Sequence, residues 1–506
     1  MTSKRERLEA ALAGEVADRP PFALWRHFPV DDQSPQALAE AVLAFQREID
    51  CDFIKVTPAS SACVRDWGVV DVWQGSTEGT RTYTTRRVGI PSDWRALEPL
   101  DPRSGALGEH VRCLEAVVHA EGESCPVLAT VFSPLAQAKN LAGGDLLLEH
   151  LKREPESVLS GLEEIARTTV RFVEAARQIG IEGIFYAVQH ASPHLLDREA
   201  YARFGRPFDE RILEAAGGLW LNVLHLHGED IDFDLAASLP APVVNWHDRE
   251  TPPRLGDGRR QSGKTVCGGL SRIETLVLGD PARVRAESSD AVRQTDGGRG
   301  LILGTGCVIP VHAPRANLLA ARRALEELGG SARGRQLRRV PGDGTRPIGD
   351  RVKEGLFGIL GADVEGSLFL DLFAGTGSVG IEALSRGAKA AVFVDKASAA
   401  ARTVRENLTA TGLGDRGSVI QQDGFAYLAQ EPQIAFDYVY IAPPQYHGMW
   451  LKALRALEGN PGWMSDDAWV IVQIDPREDE AEGLARLDRF DERSYGQTRL
   501  VFYRVP

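Results

Sequence analysis

One stretch decides the fold of the last third of this 506-residue chain: Asp371-Leu372-Phe373-Ala374-Gly375-Thr376-Gly377-Ser378-Val379-Gly380. An apolar segment, residues 367–372, runs directly into this glycine-rich turn, and a helical pattern follows it. Glycines at such a turn allow backbone angles that other residues resist, so the main chain can approach a ligand, and the next helix offers free N–H groups. The stretch therefore predicts a Rossmann-like nucleotide-cofactor site that includes Asp371, Phe373, Gly375 and Gly377.

Acidic residues at the ends of the next two strands favour S-adenosylmethionine over a dinucleotide. A short apolar strand ends in Asp395, where a strand-end carboxylate can accept hydrogen bonds from both ribose hydroxyls. A third strand is followed by Asp423, Gly424 and Phe425, where an acid and an aromatic ring can hold the edge and the face of an adenine. We therefore expect Asp395, Asp423 and Gly424 to contribute to an S-adenosylmethionine site.

A fourth apolar strand, residues 436–441, ends in Ala442-Pro443-Pro444-Gln445-Tyr446. Two upstream segments add to this pattern, residues 331–335 (SARGR) and 345–354 (TRPIGDRVKE). With these motifs, residues 331–506 resemble the bacterial 16S rRNA (guanine-N2)-methyltransferases, the RsmD family. The resemblance implies a class I methyltransferase that transfers methyl from S-adenosylmethionine to the exocyclic amine of a guanine in 16S rRNA. It also implies that Pro443, Pro444 and Tyr446 are the catalytic residues.

Ala442 departs from the pattern of that family. Its members usually carry Asp or Asn before the paired prolines, and that side-chain oxygen accepts a hydrogen bond from the target amine. A guanine amine is a poor nucleophile because its lone pair is delocalised into the ring, so catalysis depends on orienting it. The Pro443 carbonyl is still an acceptor, and Tyr446 can still stack on a flipped base. Two interpretations stay open: an active methyltransferase, or an RNA-binding module without chemistry.

A basic segment precedes the cofactor strand. Residues 331–353 contain six Arg and one Lys against two acids, Asp343 and Asp350. Such a segment can neutralise RNA phosphates even on a chain with a net charge of −13, because phosphate contacts act within a Debye length. The alternative is a solvated linker rich in arginine. We expect the partner to be 16S rRNA or the small ribosomal subunit, contacted by Arg333, Arg335, Arg346 and Arg351.

The first 330 residues alternate apolar strands with helix-length segments. Eight such units predict a TIM (β/α)8 barrel, whose chemistry lies at the carboxyl ends of the strands. Polar residues at these ends, Arg26, His27, Lys55 and His190, are expected to form a site for a small-molecule substrate. The strand candidates are residues 22–25, 52–57, 126–132, 183–188, 221–226, 242–246, 265–269 and 300–307.

Four segments of this region, 5–21, 52–58, 266–270 and 304–310, resemble the uroporphyrinogen decarboxylase superfamily over roughly residues 3–327. The superfamily contains decarboxylases of porphyrin biosynthesis and corrinoid or thiol methyltransferases. The decarboxylases need an arginine-rich first loop and a central carboxylate. Here the first loop, residues 25–29 (WRHFP), has one Arg, and the second strand ends in residues 55–58 (KVTP). The fold thus suggests a decarboxylase, and the site residues do not match one.

The methyltransferase branch of the superfamily uses zinc to make a thiolate nucleophilic, through a His-x-Cys-Gly strand end and a Cys on the last strand. This chain has residues 225–228 (HLHG) and Cys307. Alternate residues of a strand point to the same face, and imidazole is a zinc ligand. The resemblance implies a zinc site of His225, His227 and Cys307 with an open coordination position. The alternative is that these histidines are ordinary polar groups or substrate contacts.

Length and composition predict two or three domains, and the two resemblances give a two-domain α/β protein. A chain of this length with 43% hydrophobic residues can bury more than one core. We place the boundary at the glycine pair near Leu328, which gives a barrel over residues 1–328 and a methyltransferase domain over residues 329–506. No apolar run reaches membrane-spanning length and the start lacks a signal-peptide core. Six scattered cysteines fit a reducing compartment, so we expect a cytoplasmic protein with no membrane partner.

Overall fold

The computed structural model of the chain describes residues 2–328, 337–341, 348–480 and 483–505. The chain divides into two compact units, residues 1–325 and 326–506. Each unit has its own seven-stranded sheet and its own hydrophobic core. Within the described ranges, no helix is both long enough and apolar enough to span a bilayer.

The N-terminal unit alternates strands and helices along the chain. Its strands are β1 (Ile54–Val56), β2 (Val70–Val72), β3 (Thr82–Thr85), β4 (Val127–Phe132), β5 (Gly183–Val188), β6 (Val223–Leu226), β7 (Val243–Trp246), β8 (Thr265–Leu270) and β9 (Leu301–Thr305). Its helices are α1 (Lys4–Leu12), α2 (Pro35–Ile49), α3 (Pro91–Arg95), α4 (Gly105–Glu121), α5 (Pro134–Ala142), α6 (Gly144–Arg153), α7 (Pro155–Ile179), α8 (Arg198–Phe204), α9 (Arg206–Ala215), α10 (Asp234–Ser238), α11 (Leu255–Ser262), α12 (Pro281–Gln294) and α13 (Arg315–Leu328).

Seven of these strands form one parallel sheet, in the order β1-β4-β5-β6-β7-β8-β9. The extended segment 22–25 closes the sheet into a barrel. The Ala23 N–H donates to the Leu303 carbonyl at 2.9 Å, and the Asp52 N–H donates to the Phe22 carbonyl at 2.7 Å. The predicted TIM barrel is confirmed, but its first strand is only a bridge between Phe22 and Leu303. The segment follows two prolines, which lack the N–H groups that would extend the ladder.

A buried ion pair holds the start of this closing segment. Arg19 donates to the two carboxylate oxygens of Asp52 at 2.6 and 3.0 Å. The same carboxylate accepts the Phe22 N–H at 2.8 Å and a bond from Arg7 at 3.2 Å. An uncompensated buried carboxylate would be strongly destabilising, so these bonds make the position of residues 19–22 depend on Asp52.

The barrel strands are buried on both faces. Every residue of β5, β6, β7, β8 and β9 is buried, as expected for parallel strands covered by helices. Helix α7 shows how the cover forms, because its buried apolar residues recur at helical spacing, and it ends at Gly180 with a left-handed φ of 97°. The buried apolar residues on α7 include Val158, Leu162, Ile165, Phe172 and Val173.

The C-terminal unit is built around one seven-stranded sheet in the order β12-β11-β10-β13-β14-β16-β15. The first five strands of that order are parallel, and β16 is antiparallel to both of its neighbours. The Rossmann-like fold is confirmed. Strands are β10 (Leu368–Leu372), β11 (Ala390–Asp395), β12 (Gly417–Gln421), β13 (Phe436–Ile441), β14 (Met464–Ile474), β15 (Asp488–Tyr495) and β16 (Thr498–Arg504); helices are α14 (Asp350–Leu360), α15 (Ser378–Ser385), α16 (Ser398–Thr411), α17 (Gly424–Leu428) and α18 (Met449–Gly459).

Candidate functional site

The glycine-rich loop lies at the carboxyl end of β10, the strand at which the strand order reverses and where ligands bind in such sheets. Gly375 and Gly377 have φ angles of 55° and 74°, in the left-handed region that favours glycine. A third glycine, Gly380, lies directly against the ring of Phe393. A Cβ at this position would be only 2.4 Å from Phe393 Cε1, so a larger residue would clash. The first two glycines shape the loop and the third allows α15 to approach β11.

Two carboxylates hold this loop in place. Asp371 is buried on β10 and accepts the Gly380 N–H at 3.0 Å, and burial raises the pKa of its carboxyl to about 7. Asp395 is half-buried at the end of β11 and accepts the N–H groups of Gly375 at 2.9 Å and Ala397 at 2.8 Å. Asp371 therefore lies behind the loop, whereas Asp395 lies at its edge with acceptor capacity left for a ligand.

The other residues predicted for the cofactor come together beside the loop. Phe373 has a φ of 68°, and its ring meets that of Phe425 with centroids 5.6 Å apart. Asp423 caps α17 by accepting the Phe425 N–H at 3.0 Å. A Cβ at Gly424 would lie 3.0 Å from the Phe373 ring, so glycine lets α17 come close. Lys452, which the sequence did not single out, places Nζ 4.2 Å from the centre of the Phe425 ring.

The loop after β13 presents Tyr446, whose surface is 57% exposed and whose φ is 66°. Its hydroxyl donates to Asp475 Oδ2 at 2.7 Å and accepts a bond from Arg477, whose guanidinium lies 5.4 Å from the ring centre. Glu478 accepts the Tyr446 N–H. Sequence reasoning missed these three partners because they meet Tyr446 only through the pairing of β13 with β14.

The remaining residues predicted for the methyltransferase lie in different settings. Pro443 is buried and Pro444 is exposed. Ala442 is half-buried, and its N–H donates to the Leu372 carbonyl at 3.4 Å. Of the predicted RNA-binding arginines, Arg351 lies in α14, and Arg333, Arg335 and Arg346 lie outside the described residues.

Four potential metal ligands meet at the carboxyl end of the barrel. One atom from each of His225, His227, His247 and Cys307 lies within 4.8 Å of the others. His227 Nδ1 is 3.3 Å from His225 Nε2, 3.4 Å from His247 Nε2 and 3.7 Å from Cys307 Sγ. In a tetrahedral zinc site, nitrogen ligands lie about 3.3 Å apart and nitrogen and sulfur about 3.6 Å apart. The donor types and the spacing therefore fit zinc. His225, His227 and Cys307 were predicted as zinc ligands, and His247 was not.

Hydrogen bonds orient two of these imidazoles. The Asn245 amide donates to the carbonyls of Cys267 at 2.8 Å and Thr305 at 2.9 Å, so its Oδ1, 2.6 Å from His225 Nδ1, must accept. His225 then carries its proton on Nδ1 and leaves Nε2 for a metal. His247 Nδ1 lies 3.0 Å from Glu250 Oε2, which leaves its Nε2 facing the cluster.

The electrostatics of the cluster place His225 and Cys307 in metal-binding protonation states, whereas His247 must lose a proton before it binds a metal. Burial lowers the pKa of His225 to about 4, so this imidazole is neutral. Burial opposes ionisation of Cys307, but its interactions with the three neighbouring histidines lower the pKa of its thiol well below the ordinary value. Burial alone would lower the pKa of His247, yet its bonds with Cys307 and Glu250 raise it to about 9. A thiolate and neutral imidazoles are the forms that bind a metal.

Lys55 lies beside the cluster. Its Nζ donates to the Thr57 hydroxyl at 3.0 Å and lies 4.6 Å from the centre of the Phe185 ring, whose centroid is 5.2 Å from that of His225. Burial lowers the pKa of Lys55 to about 7. Lys55 thus brings an ionisable amine close to the four-donor cluster.

The other residues predicted for the barrel site are divided between two places. His27 and His190 are buried, and the Nδ1 of each has no hydrogen-bond partner within the described part of the chain. Arg26 instead lies over the rings of Phe28 and Phe45, the latter on helix α2. The first loop therefore brings an imidazole to the barrel mouth, and its arginine packs on the helical layer.

The C-terminal part matches the family model described as Conserved hypothetical protein 95 over residues 326–504. Over 157 residues the chain is 36% identical to ribosomal RNA small subunit methyltransferase D of Haemophilus influenzae. That match covers 31% of this chain and 81% of the relative.

The N-terminal part matches the uroporphyrinogen decarboxylase (URO-D) model over residues 3–328. Over 205 residues it is 23% identical to methylated-thiol–coenzyme M methyltransferase of Methanosarcina mazei, which covers 40% of this chain and 53% of the relative. A solved methyltransferase structure from Methanosarcina mazei shares the fold, with a TM-score of 0.58 at 18% identity over 65% of this chain and 99% of that one. The chain therefore belongs to the uroporphyrinogen decarboxylase family over residues 3–328 and to the ribosomal RNA small subunit methyltransferase D family over residues 326–504.

Proposed function

We propose that residues 329–506 form an S-adenosylmethionine-dependent methyltransferase that modifies the N2 amine of a guanine in 16S rRNA, in the cytoplasm. One observation carries the proposal. The cofactor loop and the proline loop leave adjacent parallel strands, with Leu372 opposite Ile441, so Phe373 and Ala442 emerge side by side. A cofactor and a target base can therefore meet at this edge. The name of the Haemophilus influenzae relative supports the ribosomal substrate.

In this proposal the cofactor side of the site depends on the glycine loop and its carboxylates. When bound, S-adenosylmethionine supplies an electrophilic methyl group. Asp395 accepts hydrogen bonds from the ribose hydroxyls, and Gly375 and Gly377 let the main chain approach the cofactor. Asp371 acts from behind as a positioning residue, because its carboxylate is bonded to Gly380. Asp423 and the neighbouring aromatic rings enclose the adenine.

On the base side, Tyr446 stacks on the flipped guanine and the Pro443 carbonyl accepts a hydrogen bond from the amine. The Pro443 carbonyl thus replaces the side-chain hydrogen-bond acceptor that Ala442 lacks. The amine nitrogen would accept the methyl group that the cofactor supplies, the demethylated cofactor would leave, and the amine proton would pass to solvent. Orientation of the lone pair is the contribution of the protein. Arg333, Arg335, Arg346 and Arg351 bind phosphates of the rRNA.

The test is transfer of a labelled methyl group to purified unmodified small and large ribosomal subunits. We expect label in small-subunit rRNA alone. Tyr446→Ala should abolish transfer and keep cofactor binding, whereas Tyr83→Ala, a half-buried tyrosine of the barrel unit, should change neither. Cofactor binding without any transfer by the unsubstituted protein would favour an RNA-binding module instead.

The four-donor cluster favours a second function for the N-terminal unit. We propose that His225, His227, His247 and Cys307 bind zinc and that the barrel transfers a methyl group between a corrinoid and the sulfur of a small thiol. Bound zinc lowers the pKa of a coordinated thiol and keeps it nucleophilic. The name of the Methanosarcina mazei relative supports this chemistry. Decarboxylation of a porphyrin precursor is less well supported, because Arg26 packs against helix α2 and the first loop offers no other arginine.

Metal analysis of the purified protein tests the second function. We expect about one zinc per chain, and Cys307→Ser should remove most of it. Cys51→Ser is the matched control, because Cys51 is a buried free cysteine outside the cluster. Equal zinc in both variants, or none in the unsubstituted protein, would contradict the proposed site.

A further inference from the structure

A chain of polar contacts leads from the zinc ligands to a surface loop. His247 Nδ1 is 3.0 Å from Glu250 Oε2, and Arg272 Nε donates to Glu250 Oε1 at 3.1 Å. Nη1 of the same arginine donates to Glu78. We call Glu250, Arg272 and Glu78 the relay. Its two carboxylates share one guanidinium, so the position of each depends on the other.

Glu78 belongs to residues 73–81, the connection between β2 and β3, which we call the mouth loop. The Thr77 carbonyl accepts the Val311 N–H at 2.8 Å, just beyond the last barrel strand. A Cβ at Gly79 would lie 2.5 Å from His27 Cβ, so the loop touches a residue at the carboxyl end of the barrel. The mouth loop therefore covers part of the barrel mouth. The relay connects it by hydrogen bonds to the segment that carries His247.

His225 and His247 are supported in different ways. His225 is bonded to Asn245, which is completely buried and tied to two backbone carbonyls of neighbouring strands. His247 is bonded to Glu250, whose side chain is 36% exposed and is itself held by Arg272. His225 thus depends on the barrel core, whereas His247 depends on groups near the surface.

Four protein ligands would complete a tetrahedral zinc ion, which is typical of structural sites, whereas catalytic sites keep one position open. We propose that His247 is an exchangeable fourth ligand, held in place by the relay while the mouth loop is docked, and that displacement of this loop frees a coordination position for the sulfur of a thiol substrate. The proposal rests on the zinc site of the proposed barrel function. It explains how a cluster with four protein ligands can serve a reaction that needs an open coordination position on zinc.

Zinc affinity is the first readout, measured by competition with a chromophoric chelator. Arg272→Gln and Glu78→Gln should each weaken binding about 10- to 100-fold, as changes to outer-shell partners typically do. Because both residues act through Glu250, the double variant should lose no more zinc affinity than the single variant that binds zinc more weakly. Arg283→Gln is the matched control, because Arg283 forms an exposed pair with Glu274 on the same unit.

Thiol binding to the cobalt-substituted protein is the second readout, and it separates an exchangeable ligand from a merely weakened site. Mercaptoethanol should give an added sulfur-to-cobalt charge-transfer band, with about 10-fold tighter binding in Arg272→Gln and Glu78→Gln than in the unsubstituted protein. His247→Ala should bind the thiol at least as tightly. Arg283→Gln should match the unsubstituted protein.

Three results would be decisive. If the unsubstituted protein binds cobalt and the relay variants match Arg283→Gln in both readouts, the relay proposal is overturned and the zinc site stands. If His225→Ala and His247→Ala bind the thiol equally well, His247 is not the exchangeable ligand. If neither metal binds the unsubstituted protein, the zinc site fails and the relay proposal falls with it.

Discussion

Asn245 is the residue through which the barrel core acts on the proposed zinc site. It is completely buried, and all of its amide hydrogen bonds go to His225 and to two backbone carbonyls. We expect Asn245→Ala to weaken zinc binding about 10- to 100-fold, because His225 loses the acceptor that orients it. Equilibrium chelator competition measures this change.

Asn222→Ala provides the control for that variant. Asn222 is also buried, and it accepts the Ile184 N–H at 3.0 Å without contacting the cluster. Both variants should lose about 1–3 kcal/mol of unfolding free energy, since each leaves buried backbone groups unpaired. Equal zinc affinities in the two variants would show that Asn245 supports only the fold and does not orient a zinc ligand.

How much of the site could be predicted depended on whether its contacts are local. Local motifs at strand ends could be recognised in the sequence. They include the glycine loop, Asp395, His225 and His227. The place of His247 in the four-donor cluster was missed, because its approach to His225 depends on the register of β6 with β7. The sequence did offer one sign, since His247 also follows directly after a strand.

At the level of elements, the packing of α15 on β11 explains the third glycine of the cofactor loop. Gly380→Ala would place a Cβ 2.4 Å from Phe393 Cε1 in a buried interface. We expect a loss of about 1–3 kcal/mol in the unfolding free energy of this unit, measured with urea. At Gly358 in α14 a new Cβ would meet, among the described residues and outside the local helix backbone, no atom within 4 Å, so Gly358→Ala should stabilise by about 0.5–1 kcal/mol. Equal effects of the two substitutions would contradict the packing argument.

A second prediction concerns the link between β5 and helices α8 and α9. Asp209 on α9 is buried and accepts hydrogen bonds from the hydroxyls of Tyr186 at 2.5 Å and of Tyr201. Burial raises the pKa of Asp209 to about 7. Because the folded pKa lies above the unfolded one, the stabilising contribution is complete below about pH 4 and is lost as the pH rises towards 7.

Asp209→Asn should remove this pH dependence. The unfolding free energy of the unsubstituted protein, relative to that of the variant, should fall between pH 4 and pH 7 by up to about 4 kcal/mol. Chemical denaturation at several pH values measures the difference. A constant difference across this range would mean that Asp209 is ionised throughout.

Most barrel strands and the first four strands of the C-terminal unit could be predicted because they are short apolar runs. Strands β2, β3, β14, β15 and β16 were not predicted, and one predicted strand is much shorter than expected. The first barrel strand is reduced to a bridge because prolines precede it. The hairpin of β2 and β3 was missed because its residues are mostly exposed and show no apolar run, although it carries the mouth loop.

For the whole molecule, the two compact units give the chain two candidate sites that share no residues. We expect Asp395→Ala to abolish methyl transfer to rRNA while the zinc content stays unchanged. Cys307→Ser should remove zinc and leave transfer intact. Loss of both properties in either variant would show that the two activities depend on each other.

The central claim is that residues 329–506 methylate a guanine at N2 although Ala442 replaces the usual acidic or amide residue. The most direct measurement is nucleoside mass spectrometry of small-subunit rRNA after incubation of unmodified subunits with the protein and S-adenosylmethionine. We predict N2-methylguanosine with the unsubstituted protein and none with Asp395→Ala. Absence of N2-methylguanosine while the protein binds both the cofactor and the subunit would contradict the claim.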